Sequence, residues 1–267
     1  NTYVNVKFRK KSLSYFLNYD INLYIDMLEE KLAKKTVRDI ILVLKSILKY
    51  AEQKYSVNLK LDLITMPTTH KNELKVFTEK EIKKLEAECL KSDNIRSIGI
   101  VIAIYTGMRI GEICALKWEN IDFAKGIIAV NKTLQRAYVG KKETKIIIST
   151  PKTQKSERKI PIPSVLYNEL KIKSIEYSKQ AYVLTGDEEK YVEPRTLQYL
   201  YKKIIESAKI KYRNFHCLRH TFATRCIRVG MDIKSLSELL GHADVNITLN
   251  RYVHSSYDST KKYMEKL

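Results

Sequence analysis

The sequence predicts a mainly α fold with a small antiparallel β-sheet, an α+β class, arranged as two domains. Apolar residues recur at helical spacing over most of the 267 residues, which calls for amphipathic helices. One central stretch, about 121–163, switches to short β-branched runs separated by turns. Between residues 63 and 72 a proline and neighbouring threonines interrupt any apolar period, as an interdomain linker does. At about 150 residues per domain the chain has room for two cores.

In chain order, Leu13, Phe16 and Leu17, then Leu23, Met27 and Leu28, then Val37, Ile40, Ile41, Leu44, Ile47 and Leu48 mark helices within residues 10–57. They define a small helical domain over 1–65, followed by a linker over 66–75. The remaining domain, 76–267, opens at Thr78-Glu79-Lys80-Glu81, a capping box for a helix running to about Lys91. A helix is expected over 95–106, stopped by Gly107, and another from near Met108 to Trp118. Residues 127–130, 145–149 and 158–162 read as three strands of one sheet. Helical patterns resume over 164–177, 194–208, 215–229, 232–240 and 245–253, with Gly230 and Gly241 where C-terminal stops belong.

Composition excludes several classes. A chain with 44% apolar and 30% charged residues is neither disordered nor, with 8 glycines and 5 prolines, collagen-like. The longest apolar run, near Ile98 to Tyr105, is too short for a membrane span, so a soluble protein with no membrane partner is expected. The start, Asn1-Thr2-Tyr3-Val4, has neither an initiator Met nor a signal pattern and reads as a fragment of a longer chain. Cys89, Cys114, Cys217 and Cys226 show no CxxC spacing, which points to reduced thiols and a cytoplasmic location. The net charge of +19 favours a polyanionic partner, nucleic acid ahead of a membrane surface. Residues 131–160 hold nine basic against two acidic side chains, a local net of +7, and their strand character does not suit a basic membrane helix. Only 12 of the 49 basic residues are arginine, so an arginine inside an apolar pattern needs a specific reason.

Four sites meet that description or extend it. His216 and Arg219 lie three apart on one helical face. Leu239-Leu240-Gly241-His242 is followed ten residues later by Tyr252. Arg109 sits just past Gly107 in Thr106-Gly107-Met108-Arg109-Ile110-Gly111-Glu112. Bland alternatives exist: a surface His–Arg pair, an ion pair of Arg109 with Glu112, a structural His220. His216 and His220 have the i, i+4 spacing of a zinc pair, but no glutamate follows the first and no CxxC completes a ligand set.

Taken together, these segments resemble the tyrosine recombinase, or phage-type integrase, family, such as the integrases of phages and conjugative transposons. Residues 106–118 are similar to its first-arginine motif, 216–224 to its His-x-x-Arg box, 239–242 with Tyr252 to its closing box, and Pro151-Lys152-Thr153 with 156–162 to its β-hairpin lysine region. The resemblance covers about 75–255; the first 65 residues fit a core-type DNA-binding domain by position and character. It implies a two-domain, C-shaped clamp on double-stranded DNA. The implied enzyme is a metal-independent site-specific DNA recombinase that works through a 3′-phosphotyrosine and needs no cofactor. On that pattern Tyr252 is the nucleophile, with Tyr257 its nearest rival, and Arg109 and Arg219 clamp the phosphate with His242. His216 serves the same centre and acts as general base on Tyr252, whose pKa the two arginines would lower. Lys152, with Lys155 as rival, protonates the departing 5′-oxygen. The resemblance further implies a homotetramer on DNA docked through residues 255–267, accessory DNA-bending or excision factors, a nucleoid-associated location and a mobile element as source. A type IB topoisomerase is the rival enzyme, and a non-catalytic architectural DNA-binding protein the rival from another class.

Overall fold

The helical periodicity of the first 65 residues closes into a bundle in which one long helix organises three short ones. In the computed structural model, which describes residues 2–68, 74–139, 143–150 and 157–252, the chain divides into two compact units, Asn1–Glu73 and Leu74–Leu267. The first contains α1 (Thr2–Phe8), α2 (Tyr15–Asn18), α3 (Ile21–Glu29) and α4 (Lys34–Tyr55), then a 3₁₀ turn at Leu61–Leu63. Val37, Ile40, Ile41, Leu44 and Leu48 make one buried stripe of α4, the 3.6-residue period expressed as a core face. Ile21, Tyr24, Ile25 and Leu28 of α3 belong to the same core, with Val4 and Phe8 of α1. Leu17, Leu23, Met27 and Ile47, part of the same sequence periodicity, lie exposed. Met66 packs on this core and Arg38 donates to the Pro67 carbonyl at 3.2 Å.

The second unit is built around α6 (Ile98–Thr106), preceded by α5 (Glu79–Lys91). The capping box at the start of α5 is present: Thr78 Oγ1 accepts from Glu81 N–H at 3.2 Å and the Glu81 carboxylate accepts from Thr78 N–H at 2.8 Å. All but Tyr105 of α6 are buried, as an all-apolar helix requires. Five further helices follow the sheet region: α8 (Ser164–Ser174), α9 (Pro194–Ser207), α10 (His216–Arg228), α11 (Ile233–Leu240) and α12 (Val245–Tyr252), close to the expected bounds. Among the described residues no helix is long and apolar enough to cross a membrane.

Two expectations are corrected. The helix foreseen from Met108 to Trp118 is a single short one, α7 (Ile110–Cys114). Beyond Ala115 the backbone turns to pair elsewhere: Trp118 N–H donates to the Ala181 carbonyl at 3.0 Å and Val183 N–H to that of Leu116 at 3.0 Å. The foreseen three-stranded sheet also has different membership. β1 (Ile121–Asp122), β2 (Ile127–Val130) and β5 (Arg158–Pro161) form an antiparallel sheet in that order, while β4 (Thr144–Ser149) pairs with β3 (Thr133–Tyr138) in a separate hairpin. In β3 only Leu134 is buried, so no apolar alternation announces it. Correspondingly, the isoleucine run of β4 is not a core strand: Ile147 and Ile148 remain 36% and 37% exposed.

Candidate active site

The last carbonyls of a helix have no partner within it, and at the end of α11 they are met by arginines. Gly241 adopts φ +65°, a left-handed turn that glycine enters without steric cost. Its N–H donates to the Glu238 carbonyl at 2.9 Å and His242 N–H to that of Ser237 at 3.0 Å. The next three carbonyls each accept from a different guanidinium. Arg158 Nε donates to Leu239 at 2.7 Å, Arg219 Nη2 to Leu240 at 2.7 Å and Arg109 Nη2 to Gly241 at 3.1 Å. The partial negative charge of the helix end favours cations here. Side-chain space is also restricted: a Cβ on Gly241 would lie 3.0 Å from Arg158 Nη1.

Glu112 holds the arginines from the other side. Its carboxylate, 6% exposed, receives Arg158 at 3.1 and 2.8 Å and Arg109 Nη1 at 2.9 Å, and also accepts the Arg109 backbone N–H at 2.8 Å. Burial works to raise its pKa, but the hydrogen bonds and charge of Arg158, with that of Arg109, overcome this and hold it below the usual carboxylate range. The Arg109–Glu112 ion pair is therefore real and coexists with the contact to Gly241. Arg219, 2% exposed, also donates to the Gly107 carbonyl at 3.0 Å. Burial, then the neighbouring Arg109 charge, lowers it to about 9, still cationic at neutral pH.

Three histidines and Tyr252 complete the cluster. His242 Nδ1 shares a 2.7 Å hydrogen bond with the fully buried Thr248 hydroxyl of α12. His216, in the first turn of α10, is solvent-accessible and meets His220 edge to face, ring centroids 4.5 Å apart. His220 is buried, and its Nδ1 lies 2.6 Å from the Tyr252 hydroxyl. Among the described residues no hydrogen bond joins His216 to Tyr252, so the pairing foreseen for His216 is made by His220. Crowding by protein, followed by the charges of Arg219, Arg251 and Arg109, lowers His216 to about 4. Burial, then His216, Arg251, Arg219 and His242, lowers His220 to about 3. Burial, then Arg219, Arg109, Arg251 and Arg158, lowers His242 to about 4. The expected depression of the Tyr252 pKa is not found. Arg219, Arg251 and Arg109 pull it down, but desolvation outweighs them and its net position is above an ordinary phenol.

Arg109, His216, Arg219, His242 and Tyr252 are thus brought into one cluster. Lys152, with Lys155 and Tyr257, lies outside the described residues, as does the tail 255–267. Glu112 and His220, which the sequence offered as an ion-pair partner and a structural residue, belong to the cluster, and Arg158 and Thr248 are additions. Among the described residues no three of His, Cys, Asp and Glu converge as a metal-holding group. The cluster offers guanidiniums beside neutral imidazoles and a phenol, an arrangement that attracts an anion and presents a nucleophile to it.

Such a site, a tyrosine beside clustered guanidiniums and imidazoles, sits on a helical unit with a small sheet. Residues 75–259 match the phage integrase family, and the chain belongs to it. It is 35% identical over 200 residues to a XerC-like tyrosine recombinase of Caldanaerobacter subterraneus subsp. tengcongensis, covering 68% of this chain and 51% of that protein. It is 31% identical over 228 residues to the transposase of transposon Tn916 from Enterococcus faecalis, covering 78% and 53%. The chain spans about half the length of these curated relatives. A solved structure of the Tn1549 transposon integrase in complex with circular intermediate DNA superposes with a TM-score of 0.72 at 25% identity, covering 96% of this chain and 86% of that one.

Proposed function

We propose that this chain is the DNA-cleaving part of a site-specific recombinase of a mobile element, breaking and rejoining strands through a 3′-phosphotyrosine. The observation that carries the reading is the gathering of Tyr252, Arg109, Arg219 and His242 at the end of α11. A phosphodiester undergoing displacement develops charge on its non-bridging oxygens, and fixed guanidinium donors stabilise that charge. In this reading Arg109 and Arg219 grip those oxygens, with His242 and His216 donating beside them. Tyr252 Oη attacks phosphorus and the 5′-oxygen leaves, protonated by Lys152. The charge balance of +19 supports duplex DNA as partner. Family membership and the transposases among its relatives support a mobile-element source.

In this reading the first unit serves as a core-type DNA-binding domain. Strand exchange between two sites requires four active sites, hence a homotetramer on DNA with residues 255–267 docking on a neighbour, assisted by accessory DNA-bending or excision factors. The test is covalent capture. A pool of nicked duplexes of randomised sequence is incubated with the protein in excess EDTA, and sequences retained on the protein under denaturing conditions are amplified. Wild-type protein enriches a site and forms an adduct with it; Tyr252→Phe binds that duplex without forming one. An adduct with Tyr252→Phe moves the nucleophile elsewhere, and a need for added divalent metal contradicts the arginine-based mechanism.

A further inference from the structure

We propose that His220, rather than His216, takes the proton from the Tyr252 hydroxyl as that oxygen attacks phosphorus. The inference rests on the recombinase reading above and adds the base to it. It starts from contact: Nδ1 of His220 lies 2.6 Å from Tyr252 Oη, within the reach required of a general base. The rings are tilted at 56° with centroids 5.7 Å apart. A phenol donates here and a ring nitrogen accepts, so the neutral imidazole carries its proton on Nε2. The residue is 6% exposed, leaving little room for water to compete for the hydroxyl. His216 packs edge to face on the far partner of this pair, His220, at 4.5 Å.

The surroundings explain when such a base acts. From its own helix His220 faces His216 and Arg219, from α12 Tyr252 and Arg251, and from the turn after α11 His242. No carboxylate is among them, and the cationic field opposes a positive imidazolium, keeping the ring neutral down to about pH 3. A phosphodiester arriving on Arg109 and Arg219 brings a negative charge into that field and makes protonation of His220 less costly. Proton acceptance is thereby coupled to substrate binding. The step balances: the Oη–P bond forms as the hydroxyl proton passes to Nδ1, and the P–O5′ bond breaks with its electron pair leaving on O5′, which Lys152 protonates. On rejoining, the His220 imidazolium returns the proton to Oη.

The experiment uses the whole chain and the duplex enriched from the randomised nicked pool. His220→Asn keeps an amide near the Nδ1 position, able to hydrogen-bond the phenol but unable to accept its proton. Single-turnover adduct formation by this variant is expected to slow about 10²-fold or more. The acid limb of the wild-type pH–rate profile should disappear, with duplex affinity unchanged. Independently, ¹⁵N side-chain spectra of wild-type protein should show His220 protonated on Nε2 and bare at Nδ1. In Tyr252→Phe the His220 titration should move upward when the duplex is added. A rate and profile for His220→Asn within threefold of wild type overturns the assignment, as does loss of the acid limb in His216→Asn instead, or a resonance showing Nδ1 protonated. Should wild-type protein capture no duplex from the pool, it is the recombinase reading that falls, and this inference with it.

Discussion

Replacing Arg158 by methionine tests whether the carboxylate at the centre of the arginine cluster is held as described. The side chain is 6% exposed and delivers two hydrogen bonds to Glu112 and one to the Leu239 carbonyl. Methionine fills similar volume but leaves Glu112, also 6% exposed, with Arg109 as its remaining ionic partner. Removing one partner of a buried pair costs about 3–5 kcal/mol, the helix-end carbonyl left unpaired costs about 1–3 kcal/mol, and the Arg109 pair that remains on Glu112 offsets part of this. A loss of about 4 kcal/mol is expected, lowering the Tm of this roughly 190-residue unit by about 8–16 °C. Trp118, the only tryptophan of the chain, is buried in the same unit, so its fluorescence in urea follows the transition. The decisive comparison is the cycle with Glu112→Gln. Removing both charges should cost less than the sum of the two single changes, by about 2 kcal/mol. A loss below about 1 kcal/mol for Arg158→Met, or strict additivity, would refute the reasoning.

Two further outcomes follow from the site. The three histidines titrate lower in the folded chain than in the unfolded one, so between about pH 6.5 and pH 4 only the unfolded state takes up their protons and stability falls as pH falls. His220→Asn should flatten that dependence near pH 5 by about one proton, roughly 1.4 kcal/mol per pH unit, as read from urea midpoints; an unchanged slope would mean that His220 is protonated in the fold. Lys152→Ala should cleave ordinary DNA slowly and recover on a duplex whose bridging 5′-oxygen is sulfur, because a thiolate leaves without a general acid. Rescue of Lys155→Ala instead would transfer the role to that neighbour.

Spacing alone exposed much of this. The helices from α8 to α12 fall within a few residues of their sequence bounds because their cores repeat at 3.6 residues, with Pro194 opening α9 and Asp232 and Gly241 bounding α11. Arg109, Arg219, His242 and Tyr252 were legible because each stands at a fixed offset from a glycine or histidine in a recognisable motif. The hairpin partner of β4 was not, since β3 buries only Leu134 and shows no apolar alternation. The Glu112–Arg158 pair was hidden for another reason: it joins α7 to β5 through the fold, and no local pattern marks two charges that meet only after burial. His220 reads as structural from the sequence, one residue off the His-x-x-Arg register, because its partner Tyr252 lies 32 residues further on and no local spacing shows the contact. The Tyr252 pKa went the other way from expectation because charge can be counted in a sequence while desolvation cannot.

The three carbonyls at the end of α11 also bear on how the protein is made. The arginines they receive come from positions 109, 158 and 219, whereas the carbonyls belong to 239–241. The guanidiniums therefore precede their acceptors in the chain, and until α11 forms Glu112 pairs with Arg109 and Arg158 alone. Tyr252 follows eleven residues after Gly241. A nascent or truncated chain lacking α11 thus has neither the carbonyls that orient the three guanidiniums nor Tyr252, and the cluster assembles only once nearly the whole unit has folded.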